Sequence, residues 1–387
     1  MGLEADRGGR GVTLTTGDGD PIETIVLVAP QPQPIEAATV GMATVAGPVA
    51  DMWERPPKPE PLDAPWIRQV AWILPALLVL VLGGLGAWTG PVAWPDSAVT
   101  PLHTDLLRWW DGVTGGSAIA LRAPSVLAMA AAAALTAVIG ERIGGLRVGV
   151  VAGFLFAVLP TTSRWAQDPG PVAVAVASAT LSTLLLLRLQ RRPGVAVAAG
   201  YGVAVAVLGL TGGVAAWLVL GAHAVGVAAE ARDRRTPVLW AVAAVIAGAS
   251  AAWPVLVGRG DPFAGAQRIS LQVTWLPLQL FGGMALAGAV LALVFMGVSL
   301  RPSTVLVTLC AVMPVVALLA ASVLGPVFSA EPLLVTVPGW TLLAAVALRR
   351  FTLARGLGAA LAIALLGLPG QVDLRQPAEP PVSVIRA

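Results

Sequence analysis

Arg164 and Asp168 stand four residues apart between two long apolar runs, in the stretch PTTSRWAQDPGP that covers residues 160–171. An arginine can hold an anionic headgroup and a carboxylate can bind a hydroxyl group, so this pair could form a polar binding patch. The prolines and the glycine around it are equally typical of a solvated turn, in which the two side chains simply pair at helical spacing. The residue types alone leave both interpretations open.

The composition of the chain indicates what surrounds these charges. Of 387 residues, 57% are hydrophobic and 12% are charged, whereas about a quarter of the residues of a soluble domain are charged. The net charge of +3 is small, and nearly all basic residues are arginines. One cysteine excludes a disulfide within the chain, and two distant histidines offer no metal-binding pattern. We therefore predict an all-α polytopic membrane protein of the plasma membrane, since spanning segments must satisfy their own backbone hydrogen bonds.

About eleven apolar segments approach the length that a membrane-spanning helix needs, which is about 20 residues. Because several segments are short or adjoin one another, the predicted range is ten to twelve spans. The segments are 70–90, 118–140, 148–163, 171–188, 194–211, 213–229, 238–257, 278–299, 304–325, 332–348 and 356–369.

Arginines occur at every second connection between these segments, namely at 141–147, 188–192, 230–235, Arg301 and 349–355. Since basic residues favour the cytoplasmic side, we predict that these connections and the N-terminus are cytoplasmic. The C-terminus and the remaining connections are then predicted to lie outside; these connections are 91–117, 163–170, 211–213, 258–277 and 325–332.

The two ends of the chain differ from its apolar centre. Residues 1–66 are rich in Gly, Pro, Thr and acidic residues and show no apolar period, which predicts a disordered cytoplasmic tail. Residues 67–369 form the predicted transmembrane domain, and residues 370–387 form a short polar tail.

The segment 120–188 carries the most specific pattern in the chain. It opens with LRAPS, continues through ERIGGLRVGVVAG at 141–153 and reaches SRWAQD at 163–168. This order resembles membrane glycosyltransferases of the GT-C type and is most similar to actinobacterial members of family 39, the dolichyl-phosphate-mannose mannosyltransferase-like group. A more diffuse similarity covers most of residues 70–350, including FSAEPLLVTVPGW at 328–340.

The resemblance implies a GT-C-like fold and the transfer of a mannose-like sugar from a polyprenyl-phosphate donor to an acceptor on the extracytoplasmic face. Such a reaction needs a carboxylate near the acceptor hydroxyl and cations near the departing phosphate. No cofactor is certain, although a divalent cation is possible. The implied partners are the lipid-linked sugar and membrane lipid; no nucleic acid is expected, and the sequence identifies no protein partner.

Two aspartates are the catalytic candidates that the resemblance implies. Asp96 falls where the family has the first acid of an Asp-Glu pair, and Asp168 matches a glutamate of the family's SRYxQE loop. The alternatives are a turn or helix-capping role for Asp96 and an ion pair with Arg164 for Asp168.

The remaining candidates would bind substrate. Arg122, at the outer start of the second span, could hold phosphate, or it could be an interfacial arginine that reaches the lipid headgroups. The other candidates are His103, Arg164, Gln167, Arg259 and Arg268. For His103, Arg259 and Arg268 the alternative is a side chain that is simply solvated in a loop.

The sequence also departs from the family pattern at three places. Ser97 replaces the glutamate of the first acid pair, Gly170 stands where the family has an arginine, and Glu331 replaces a second arginine. A second hypothesis is therefore a non-catalytic relative that keeps the fold and binds lipid or a partner protein. A transporter is a third and less favoured hypothesis, because the charged residues gather at the span ends and transporters bind substrate near the midplane.

Overall fold

Helices account for almost all of the described structure. The computed structural model describes residues 65–85, 101–230, 233–256, 266, 271–297 and 302–373. In chain order the α-helices are α1 (Pro65–Gly84), α2 (Pro101–Thr114), α3 (Ala118–Gly144), α4 (Leu146–Val158), α5 (Pro160–Gln167), α6 (Val172–Arg191), α7 (Val195–Gly212), α8 (Val214–Glu230), α9 (Arg235–Leu256), α10 (Leu276–Phe281), α11 (Met284–Gly297), α12 (Pro302–Leu324), α13 (Val337–Leu348), α14 (Leu353–Leu366) and α15 (Leu368–Asp373). Two 3-10 helices, Leu271–Trp275 and Glu331–Thr336, directly precede α10 and α13.

Many of these helices are apolar enough to cross a membrane. Seven helices within the described ranges are also long enough, and two bent helix pairs raise the number to nine if each pair counts as one span. Two shorter apolar helices, α8 and α14, add to these. The prediction of an all-α, multi-pass membrane protein is therefore confirmed. The number of segments that cross and the side on which the N-terminus lies stay predictions.

Two ends of the helical bundle can be distinguished by the residues that they carry. The helix α3 runs from one of these ends to the other. The end that carries α5 we call the loop face, and the opposite end carries Arg142. We call that second end the arginine face, because Arg188 and Arg191 end α6 there. The helices α1, α4 and α6 pack around α3, and α13 packs against α4, α11 and α12.

The hairpin of α3 and α4 depends on small residues. The two helices are joined at Gly145, whose φ of +87° favours glycine. A Cβ atom on Gly149 would lie 2.5 Å from the carbonyl oxygen of Ala137, and one on Gly140 would lie 2.8 Å from the Cα atom of Gly149. The glycines thus allow the two backbones to touch, as small residues commonly do between membrane helices.

Two apolar segments that the sequence predicted as single spans are bent. The segment 148–163 divides into α4 and α5, which meet at 61°, and α5 begins at Pro160. Proline has no N–H group to donate, so it ends one helix and is suited to begin the next. The segment 278–299 bends by 86° beside Gly282, which has a φ of +82°. The region 163–170, predicted as a connection, is largely helical because α5 extends to Gln167.

Candidate functional site

The α5 segment, which we define as residues 160–171, is tied to two elements that precede it in the chain. Gln167 donates a hydrogen bond from Nε2 to the carbonyl oxygen of Leu85, beyond the end of α1, over 2.7 Å. His103, on α2, donates from Nε2 to the carbonyl oxygen of Pro169 over 2.9 Å. The described part of the first predicted outer connection therefore contacts the α5 segment directly.

Two further hydrogen bonds come from the second half of the chain. Thr161 donates from Oγ1 to the carbonyl oxygen of Gln279, on α10, over 3.3 Å. Gln371, on α15, donates from Nε2 to the hydroxyl oxygen of Ser163 over 3.0 Å. Thr161 and Ser163 are both buried, and their bonds hold the α5 segment against α10 and α15.

Asp168 and Arg164 do not form the ion pair that their spacing allowed. Asp168 accepts a hydrogen bond at Oδ1 from the backbone N–H of Gly170 over 2.6 Å, which closes a tight turn. The guanidinium group of Arg164 is exposed and lies 5.5 Å from the ring centre of Trp165. No ion pair joins the two charges among the described residues. Both groups can therefore interact with a ligand.

Glu331 is an acidic residue of the site that sequence reasoning did not propose. It begins the 3-10 helix before α13, is exposed, and interacts electrostatically with Asp168 and Arg164. The α5 segment and the connection before α13 thus bring two carboxylates and one guanidinium together at the loop face. The signal in the sequence was an acid on a predicted outer connection, but the sequence could not show which other connection it meets.

His103 completes this group, which we call the loop-face cluster: His103, Arg164, Asp168 and Glu331. Partial burial lowers the pKa of His103 below its ordinary value of 6.5, although the bond to Pro169 and the charge of Asp168 act in the opposite direction. A lowered pKa favours the neutral imidazole near pH 7. With Nε2–H bonded to Pro169, the neutral ring positions the turn that contains Asp168.

The other candidates are placed differently. Arg122 lies in the second turn of α3 and is buried, with 7% of its surface exposed. An arginine that reaches lipid headgroups would be exposed, so its burial disfavours that alternative. Asp96, Arg259 and Arg268 lie outside the described residues. Their proposed roles stay predictions.

A small, mostly apolar cavity lies under the α5 segment and has space for about one water molecule. It is too small for a sugar, whereas Arg164 and Glu331 of the cluster are exposed. Within the described ranges, no group of three or more His, Cys, Asp or Glu side chains is arranged to hold a metal ion.

Comparisons with known proteins find similarity in structure only. No protein family and no curated protein matches the chain. The chain is similar to the crystal structure of ArnT from Cupriavidus metallidurans in the apo state, with a TM-score of 0.50 and 17% identity over 77% of this chain and 60% of that one. ArnT from the same organism bound to undecaprenyl phosphate gives 0.49 and 16% over 77% and 61%. The Archaeoglobus fulgidus oligosaccharyltransferase in complex with Zn and sulfate gives 0.45 and 14% over 80% and 49%.

The likeness to apo ArnT concerns the fold. ArnT is a membrane glycosyltransferase of the GT-C type, so the prediction of a GT-C-like fold is confirmed. The chain spans about three fifths of the length of ArnT. Membership of family 39 stays a prediction.

Proposed function

We propose that this chain is a membrane glycosyltransferase that moves a sugar from a polyprenyl-phosphate donor to an acceptor at the loop face. The observation that carries this proposal is the convergence of Arg164, Asp168 and Glu331 at one end of a GT-C-like bundle. The lipid class is supported by ArnT, which has been crystallised bound to undecaprenyl phosphate.

The cluster contains the groups that such a transfer needs. In the proposed reaction the acceptor hydroxyl oxygen bonds to the anomeric carbon of the sugar, and the bond from that carbon to the donor phosphate oxygen breaks. Asp168 takes the hydroxyl proton at Oδ2, because its Oδ1 already accepts the Gly170 N–H. Arg164 stabilises the negative charge that develops on the departing phosphate.

Two residues of the cluster have supporting roles in this proposal. Glu331 accepts hydrogen bonds from hydroxyl groups of the acceptor, since it shares the electrostatic environment of Asp168 and is exposed. His103 holds the Pro169 carbonyl and so positions the adjacent Asp168. Asp96 remains a second candidate base on the grounds of the sequence resemblance.

The sugar is proposed to be mannose-like, and the active face extracytoplasmic. The first part rests on the resemblance of LRAPS and SRWAQD to family 39, and the second on the arginines at the opposite face. The structure adds only that the cluster and the arginine face lie at different ends of the bundle.

The test is sugar transfer by the purified full chain in proteoliposomes that contain labelled polyprenyl-phosphate mannose. We expect Asp168→Asn to lower the rate by about 100-fold or more, the usual size of a lost general base. Asp105→Asn is the matched control, because Asp105 is an exposed acid on α2 whose charged partner is Arg108. This control variant should retain the wild-type rate.

Each result of this test discriminates between the hypotheses. Equal transfer by Asp168→Asn and the wild type would remove Asp168 from the mechanism, and Asp96→Asn would then identify the base. No transfer by the wild type, together with polyprenyl phosphate in the purified protein, would contradict catalysis and favour the lipid-binding relative.

A further inference from the structure

Three arginines from two helices come together at the arginine face. Arg142 lies in the last turn of α3, and Arg188 and Arg191 lie in the last turns of α6. Arg191 donates from Nη2 to the carbonyl oxygen of Arg142 over 3.1 Å, and the charges of Arg188 and Arg191 both act on Arg142. Like charges that act on one another repel, so the arrangement favours a bound anion.

The acidic residue beside this group is already engaged. Glu141 accepts hydrogen bonds at Oε1 from Arg68, one of them from Nε over 2.7 Å, and at Oε2 from Trp72 over 2.5 Å. It therefore pairs with Arg68 and joins α1 to α3, and its charge also acts on Arg142. The C-terminal ends of α3 and α6 supply about half a negative charge each, which leaves roughly two of the three positive charges without compensation.

The surroundings of the cluster suit a lipid. Arg188 and Arg191 are exposed, and they end a candidate membrane span, where headgroups are expected. Four residues after Arg191, Val195 begins α7 with 74% of its surface exposed. The charged end of α6 is thus followed, at the start of the next helix, by an exposed apolar side chain suited to contact an acyl chain.

We propose that Arg142, Arg188 and Arg191 form a binding site for the phosphodiester headgroup of an anionic phospholipid in the leaflet at the arginine face. Basic side chains that converge between membrane helices have the charge and the position for such a headgroup. The site is separate from the loop-face cluster, so it does not depend on the proposed glycosyl transfer.

The experiment uses the full chain in nanodiscs of equimolar phosphatidylglycerol and phosphatidylcholine, and counts the lipids that stay bound in native mass spectrometry. The wild type should retain phosphatidylglycerol in preference to phosphatidylcholine. The double variant Arg188→Gln/Arg191→Gln should lose about 25-fold in phosphatidylglycerol affinity, since each basic residue contributes a factor of about five. The charge-retaining variant Arg188→Lys/Arg191→Lys should keep most of the preference.

The matched control removes two other exposed arginines, Arg234 and Arg235, at the start of α9. We expect Arg234→Gln/Arg235→Gln to reduce the affinity much less than the cluster variant does, because Arg188 and Arg191, unlike these two arginines, act on Arg142 in the described structure. An equal loss in both glutamine variants, or no preference in the wild type, would overturn the proposal. If Arg188→Gln/Arg191→Gln fails to fold, the wild-type preference must still decrease with rising ionic strength, and a salt-independent preference would contradict the site.

Discussion

At the scale of single residues, Gly170 explains one departure from the family pattern. Its N–H closes the turn on Asp168 Oδ1, and a Cβ atom at this position would lie 2.7 Å from the same oxygen. The arginine that the family carries there would therefore displace the carboxylate. The glycine keeps Asp168 in its observed position and omits the positive charge that the resemblance would place there.

His103 gives a prediction about pH. Because burial lowers its pKa in the folded chain, the unfolded chain binds a proton first as the pH falls. The stability of the wild type should therefore decrease as the pH drops from about 6.5 to the lowered pKa. Below that pKa, His103 should cause no further change in stability. The variant His103→Gln keeps an N–H donor for Pro169 and should lose this dependence.

The measurement is the midpoint of thermal unfolding in detergent at several pH values between about 4 and 7.5, a window that covers the ordinary histidine pKa. The difference between the two curves of unfolding midpoint against pH is the contribution of His103. Identical curves for the two proteins would contradict the prediction.

Four polar side chains on different helices form a hydrogen-bond network that the sequence did not predict. The fully buried His223 has its Nδ1 atom 3.0 Å from the hydroxyl oxygen of Tyr201 and its Nε2 atom 3.2 Å from that of Thr183. Trp240 donates from Nε1 to the Tyr201 hydroxyl oxygen over 2.9 Å. The four residues lie on four different helices, each apolar in sequence, so only the packing of the helices reveals that they meet. Such bonds help to hold membrane helices together.

At the scale of the elements, the α3–α4 hairpin gives a prediction about packing. Gly149→Ala places a methyl group where the carbonyl oxygen of Ala137 lies 2.5 Å away, so the two helices must separate. We expect this variant to lose about 1–3 kcal/mol of unfolding free energy, the usual cost of overpacking. Chemical denaturation in mixed micelles, followed by far-UV circular dichroism, measures the loss.

Gly288→Ala is the matched control for this experiment. Gly288 is an exposed residue of α11, and a Cβ atom there meets nothing within 4 Å. Alanine at this position should leave the stability unchanged or raise it by up to about 1 kcal/mol, because alanine favours the helix. Equal destabilisation by both substitutions would contradict the close approach of α3 and α4.

The helices themselves were largely predictable from the sequence. The apolar run 171–188 corresponds to α6, and 194–211 corresponds to α7, because long apolar segments in a bilayer must satisfy their hydrogen bonds as helices. The bends at Pro160 and Gly282 were missed. Hydropathy alone does not register a change of direction within an apolar run. The two bends lie against each other, since a Cβ atom on Gly282 would lie 2.6 Å from that of Pro160.

At the scale of the whole molecule, the arginines predict the orientation in the membrane. Val113, on α2 near the loop face, is 62% exposed and should face the outside, whereas Asp233, before α9, should face the cytoplasm. Cys310 is the one cysteine of the chain, so Cys310→Ser provides a background without thiols. In intact cells, a membrane-impermeant maleimide should label Val113→Cys, and should label Asp233→Cys only after permeabilisation. The reverse pattern would invert the topology and place the loop-face cluster in the cytoplasm.

The candidate site was predictable in part. Arg164, Asp168 and His103 were identified from residue type and resemblance, and the structure brings them together with Glu331. Glu331 could not be assigned in advance, because contacts between distant connections arise from helix packing. Gln167 was proposed as a substrate ligand, and its Nε2 atom is bonded to Leu85; a role for it in binding stays a prediction.

The bond from Gln371 to Ser163 has a consequence for biosynthesis. The two residues are 208 positions apart in the chain. At a translation rate of about 5–20 residues per second, Gln371 emerges about 10–40 seconds after Ser163. Until then the α5 segment lacks one of its anchors. A nascent chain that stalls before α15 would expose an immature loop face to membrane quality-control proteases.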